Sequence, residues 1–70
     1  MAVARVTEMI AASPTSFDDA VNAGFERASQ TLRNITGFHV TDWRVNVKDE
    51  KIREYRVTLR VTFLLEDTLE

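Results

Sequence analysis

From Glu54 to Leu65 the chain alternates with scarcely a fault. Tyr55, Val57, Leu59, Val61 and Phe63 fall on one side, and Arg56, Thr58, Arg60 and Thr62 on the other. Period-two alternation of this length predicts a β-strand with one face made to be buried. Phe38 to Val47 predicts a second strand, with apolar residues at Phe38, Val40, Trp43, Val45 and Val47. Its phase changes at Thr41-Asp42. Either a bulge lies there, or both faces become covered where another subunit docks. Lys48-Asp49-Glu50-Lys51 reads as the turn joining the two strands. It holds no glycine, so a connection longer than a two-residue primed turn is expected. Val3 to Ile10 predicts a third strand with poorly separated faces: Val6 and Ile10 share theirs with Ala4 and Glu8, opposite Val3, Arg5, Thr7 and Met9. Ala11 to Thr15 should break it, because Pro14 removes a donor and biases Ser13 to extended geometry.

Between the first two strands the period changes to that of a helix. Phe17, Ala20, Val21, Gly24, Phe25, Ala28, Leu32 and Ile35 follow helical spacing. Ser16 is placed to cap it by accepting from the Asp19 amide, and Asp18 and Asp19 suit the positive end of the helix dipole. Gly24 costs about 1 kcal/mol against alanine in a helix, and its expected use is close packing against a strand. Asn34 to Gly37 should end the helix. The expected packing sets Phe17, Val21, Phe25, Ala28 and Leu32 on the Tyr55-to-Phe63 face.

The order β-α-β-β with a closing hairpin predicts an α+β fold, a three-stranded antiparallel sheet wrapped on one helix in a single domain spanning residues 1–70. A helix of about 19 residues reaches ~28 Å, whereas strands of about 11 or 12 residues reach ~36–40 Å. One helix therefore leaves strand uncovered, and other copies of the same chain are the expected cover.

Size sharpens that expectation. Seventy residues without cysteine form a marginal core, and neither a disulfide nor a thiolate metal site can staple it. The net charge is −2, with acidic and basic residues interspersed, which argues against nucleic acid as a partner. No apolar run approaches the ~20 residues of a membrane span. Met1 to Ile10 lacks the apolar core of a signal peptide, so a soluble cytoplasmic protein is expected. No Gly-rich phosphate loop, cysteine nucleophile or Gly-x-Ser-x-Gly elbow is present, and no enzymatic activity is expected.

A few residues carry candidate chemistry. His39, the only histidine, is too little for a metal site in one subunit; it is either solvated or a contact for an anionic ligand when protonated. Arg56 and Arg60 share the polar face of the last strand, with Glu8 nearby if the first strand pairs with the third. They build either a salt-bridge network between subunits or a site for an anionic group, since guanidinium forks suit phosphate and carboxylate. Asp42, Asp49 and Glu50 are oxygen donors for a hard cation, or simply solvated carboxylates.

The whole pattern resembles the dodecin family. The residues that carry the likeness are Glu26-Arg27-Ala28-Ser29-Gln30-Thr31-Leu32-Arg33-Asn34-Ile35, the short aromatic-led strand after them, Arg44, and Glu54-Tyr55-Arg56-Val57 leading to Val61-Thr62-Phe63. The opening from Val3 to Ser16 fits as well, with its Ser13 and Ser16. The resemblance implies a β-α-β-β subunit assembled into a hollow shell of twelve that stores or sequesters flavins such as riboflavin, FMN or lumichrome. In such shells paired flavins stack near a symmetry axis. A tryptophan at the start of the second strand covers the ring, and a glutamine just after the tyrosine of the third strand bonds its edge. Here those two positions read Gly37 and Arg56, so flavin affinity should be weak or absent. Trp43 is the candidate replacement wall, because uninterrupted alternation would set it on one face with Gly37 and His39; its ordinary use is in a core or interface. Some relatives that lack the flavin residues bind calcium instead, which keeps a cation, another anionic small molecule or a ligand-free assembly as alternatives.

Overall fold

The strongest alternation in the chain becomes the central strand. The computed structural model describes residues 2–65, arranged as β1 (Ala4–Ser13), α1 (Phe17–Thr31), β2 (Ile35–Lys48) and β3 (Lys51–Leu64). The sheet order is β1-β3-β2, and both pairings are antiparallel. β3 carries the alternating residues because a middle strand must satisfy neighbours on both edges while burying one face. Val57, Leu59 and Val61 are buried under α1, together with Ala20 and Ala28. Met9, Ala11, Phe17, Val21, Leu32, Ile35 and Val40 pack around them.

The contact between helix and sheet is made by small residues. Ala20, Gly24 and Ala28 are the buried positions of α1. A Cβ at Gly24 would lie 2.6 Å from Leu59 Cδ1 and 3.0 Å from Ala11 Cβ, so glycine there sets how close α1 lies to the sheet. Phe25, expected in the core, instead stands at the flank with 41% of its surface exposed. Its ring meets Phe38 at 5.6 Å. With Gly24 and Ala28 bringing the backbones together, no room remains between helix and sheet for a phenyl ring.

Element ends differ from the expectation in instructive ways. β1 runs on to Ser13, with Ala11 opposite Val57 and Ala12 opposite Arg56. Pro14 is the first residue outside it, where its missing donor costs no ladder bond. Ser13 is buried; its Oγ donates to Asp19 Oδ2 at 2.7 Å and accepts from the Thr15 amide at 2.9 Å. Ser16 caps α1 as expected, accepting from the Asp19 amide at 3.0 Å. The helix stops at Thr31, short of Asn34: Leu32 is already extended, though its N–H still donates to the Ala28 carbonyl at 2.9 Å. Asn34 then turns the chain at φ 62° and accepts from the Leu64 amide at 3.0 Å. Ile35 and Gly37 therefore belong to β2.

The hairpin turn is tighter than the missing glycine implied. Lys48 pairs with Lys51, leaving only Asp49 and Glu50 in the loop, at φ 54° and φ 62°. Positive φ at both central residues is the primed geometry that matches strand twist. Aspartate tolerates it; glutamate adopts it under strain.

Three register shifts interrupt the β2–β3 ladder, at Ile35/Gly37, Val40/Asp42 and Asn46/Val47. The second resolves the phase change at Thr41-Asp42 as a bulge. Thr36 and Thr41, the residues left over on β2, turn their hydroxyls to the β3 carbonyls of Thr62 and Thr58, each at 3.4 Å.

Candidate functional site on the uncovered sheet face

Antiparallel partners point to the same side of a sheet. Because Val57, Leu59 and Val61 face α1, the residues between them face away, and their partners go with them. The face without a helix therefore carries Gly37 opposite Thr62, His39 opposite Arg60, Asp42 opposite Thr58, Arg44 opposite Arg56 and Asn46 opposite Glu54. From β1 come Val6, Glu8, Ile10 and Ala12, opposite Thr62, Arg60, Thr58 and Arg56.

This geometry brings together four of the five residues expected at the site. Gly37, His39, Arg44 and Arg56 share the face, and Trp43 does not. The Thr41 bulge shifts the alternation by one, so Trp43 pairs with Val57 and lies on the helix side. There its ring meets Phe17 edge-on at 5.2 Å, and Phe17 in turn meets Tyr55 at 5.1 Å. Within one subunit Trp43 therefore does not share a face with Gly37. What the bulge builds is an aromatic cluster at the start of α1.

Gly37 and Arg56, the two positions at which flavin contacts were expected, lie far apart within one subunit. Gly37 pairs with Thr62, six positions along β3 from Arg56, which is ~20 Å of strand. A Cβ at Gly37 would meet nothing within 4 Å, so the backbone lies open to the outside.

The arginine end is crowded with charge. Arg56 Nη2 lies 2.6 Å from Glu54 Oε2, and Asn46 Nδ2 donates to the same oxygen at 2.7 Å. Hydrogen bonding from Arg56, and then from Asn46, holds the Glu54 carboxyl below its usual range. Across the ladder Arg44 lies 3.3 Å from Asp42. Each arginine thus takes a carboxylate two residues before it on its own strand, which eases the repulsion of two directly opposed cations. Asn46 did not stand out in the sequence and Glu54 did so only as part of the resemblance, although acid and base two apart in a strand necessarily share a face.

The candidate cation ligands do not converge. Asp42 is held by Arg44, while Asp49 and Glu50 form the hairpin turn. Among the described residues no three acidic or histidine side chains are grouped so as to hold a metal ion, and no helix is long and apolar enough to cross a membrane.

A short helix on one side of a long, bulged three-stranded sheet, with its other face open and no enclosed pocket among the described residues, defines a small α+β subunit rather than a self-contained site. The family model described as Dodecin matches residues 3–66. The dodecin of Thermus thermophilus is 33% identical over 66 residues, covering 94% of this chain and 96% of that protein. Among solved structures, dodecin from Streptomyces coelicolor is 40% identical with a TM-score of 0.88, covering 93% of each chain. The calcium-chelating immunodominant antigen calcium dodecin of Mycobacterium tuberculosis, described with a novel calcium-binding site, is 29% identical with a TM-score of 0.81, covering 97% of each chain. The chain belongs to the dodecin family.

Proposed function

We propose that this chain is the subunit of a cytoplasmic homododecameric shell that binds and stores a small molecule and catalyses no reaction. The observation that carries the proposal is that a chain matching the family from residue 3 to 66 leaves its own core unfinished. α1 covers the middle of β3, while Trp43, Val47 and Ile52 remain more than half exposed. A single subunit supplies no enclosed pocket among the described residues, so a binding space has to come from assembly. The ~20 Å between Gly37 and Arg56 has the same consequence: one flavin-sized ligand meets both positions only where they come from different subunits.

The residues present do not fit the family's flavin contacts. No ring stands at Gly37, Trp43 faces the helix, and Arg56 is taken by Glu54. Loss of a stacked ring removes about 1–3 kcal/mol, by analogy with base stacking on aromatic side chains. Replacing an amide by a guanidinium adds a charge whose desolvation is costly unless it is paired. Flavin is therefore expected to bind weakly.

An absorbance spectrum of freshly purified protein, with mass spectrometry of anything released on denaturation, reads what the shell carries. Riboflavin titration followed by fluorescence quenching then compares the native chain with Gly37→Trp/Arg56→Gln. The double variant should gain affinity, since the space at Gly37 is open. Native affinity on the order of nanomolar (about −12 kcal/mol) would overturn the weak-flavin reading.

The likeness to the calcium dodecin supports a second reading, a cation-binding shell. Asp42 stands six residues before the turn at Lys48, ~20 Å of strand, so calcium would draw carboxylates from more than one subunit. Calorimetric titration with calcium separates the two readings.

A further inference from the structure

The backbone of α1 lies against β1 and β3 rather than β2, so the helix side of β2 is covered mainly where the rings of Phe17 and Phe25 reach across to Trp43 and Phe38. Phe38, Val40, Trp43 and Val45 stand opposite Val61, Leu59, Val57 and Tyr55, which places all four on that side. The last register shift adds Arg53 to β3 and leaves β2 alternating. Val47 therefore keeps to the helix side, and its partner Ile52 goes with it. Except for Val40, these strip residues are exposed, Trp43 by 52%. From Phe38 to Val47 the helix side of β2 bears no charge, whereas the other side of the same stretch bears His39, Asp42 and Arg44.

We propose that a second copy of this chain covers this strip with its own β2, and that Trp43 is shut from water at the contact. The inference rests on the reading of the chain as a shell subunit, and it names the surface through which that shell assembles. Size is the first argument. Three of the residues on the strip and its rim, Phe25, Phe38 and Trp43, are aromatic, and an aromatic side chain can bury ~150–250 Å²; with Val45, Val47 and Ile52 the exposed part runs to several hundred Å². A continuous apolar patch of that extent marks a protein contact rather than ordinary surface. Charge is the second argument, and it selects the occupant. A charged surface laid on an uncharged strip loses water without gaining a partner, which is costly. The open face of the sheet, with Asp42, Arg44, Glu54 and Arg56, is therefore a poor cover. Six of the nine large apolar residues exposed among the described residues lie on the strip or its rim; the other three, Val3, Val6 and Ile10, are separated by Arg5 and Glu8. The best complement the chain offers to the strip is the strip itself. Like packed on like closes under rotational symmetry and leaves no copy of the surface free.

Trp43 is the only tryptophan, so its fluorescence reads the contact directly. In the native protein at micromolar concentration its emission is expected to be that of a buried indole. Acrylamide should quench it several-fold less than free N-acetyltryptophanamide. Val45→Lys, which puts a charge beside Trp43 on the exposed strip, should lower the mass found by light scattering, shift the emission to the red and raise the quenching several-fold. Circular dichroism checks that the variant folds; if it does not, the quenching of the native protein decides alone. Asn22→Lys, on the exposed surface of α1, is the control and should change neither mass nor emission. A native assembly whose Trp43 is quenched as readily as the free indole, a folded Val45→Lys that keeps its mass and emission, or an Asn22→Lys that dissociates to the same degree overturns this inference and leaves the shell reading intact. A stable native monomer overturns both.

Discussion

At Gly24 a single missing methyl group sets the spacing of helix and sheet. Leu59 Cδ1, the nearer obstacle to a Cβ, ends a side chain that can rotate; Ala11 Cβ, at 3.0 Å, cannot. Gly24→Ala recovers about 1 kcal/mol of helix propensity but overpacks a tight contact at about 1–3 kcal/mol. The net result is expected to be destabilising, read as a lower chemical-denaturation midpoint. A stabilised variant would show that α1 can lift off the sheet. Charge at the residue scale centres on Glu54, whose carboxyl is held low by Arg56 and Asn46. A lowered folded-state pKa stabilises the fold above the ordinary carboxylate range, and that contribution is lost as pH falls through the folded value. Glu54→Gln should therefore flatten the acid side of the stability profile, measured by thermal unfolding across that range. An unchanged acid limb would mean that the pair is as well solvated folded as unfolded. The capping role of Ser16 was legible in the sequence because a cap is local, needing only a hydroxyl three residues before an amide. The exposure of Phe25 was not, because helical spacing marks a stripe of residues and not which member of it meets the closest strand.

The hairpin shows how an element can carry strain in its turn. Glu50 sits at φ 62° in a two-residue loop, a region where a residue with a Cβ is uncommon. Glu50→Gly would create Asp-Gly, a pair favoured in this turn type. It is expected to raise stability by about 1 kcal/mol, the penalty for a left-handed residue with a Cβ, less whatever entropy the glycine gains in the unfolded chain. The check is an increase in melting temperature at fixed protein concentration, since self-association would make that temperature depend on concentration. A decrease would mean that the Glu50 side chain makes a contact that the glycine variant loses. Across β2, the bulge at Thr41 does more than bend the strand. It separates Gly37 and His39, odd-numbered residues that face outward, from Trp43 and Val45, odd-numbered residues that face the helix. Gly37 and Trp43 consequently end on opposite sides. Alternation showed that something happens at Thr41-Asp42; only the ladder shows which of the two resolutions holds.

The whole subunit is an elongated slab, 53 × 19 × 13 Å, with a radius of gyration of 14.5 Å. A compact domain of this length has a radius of gyration of about 11 Å. A helix of 15 residues against strands of 14 means ~22 Å of cover for ~46 Å of strand, a larger deficit than the sequence implied because α1 ends at Thr31. The hairpin end, with Val47 and Ile52 more than half exposed and paired to each other, is the natural place for neighbouring copies to dock. Light scattering is expected to give about twelve subunits, a closed assembly with no free interfaces. Val47→Lys with Ile52→Lys is expected to reduce the mass to small species, because charges desolvated in an apolar contact are costly. A native chain that remains a stable monomer at micromolar concentration would remove the basis for a shell.

What the sequence determined by itself was the order of elements and the buried face of β3. Those follow from periodicity, capping and length, which act between residues close along the chain. The alternation of β3, the Ser16 cap and the switch to helical spacing at Phe17 each have one local reading. The tertiary structure alone decided which residues share the open face. Facing in a sheet is a parity, and one inserted residue reverses it for everything that follows. Thr41 is that residue: it carries Trp43 to Phe17 and leaves Gly37 and His39 on the opposite face of the sheet.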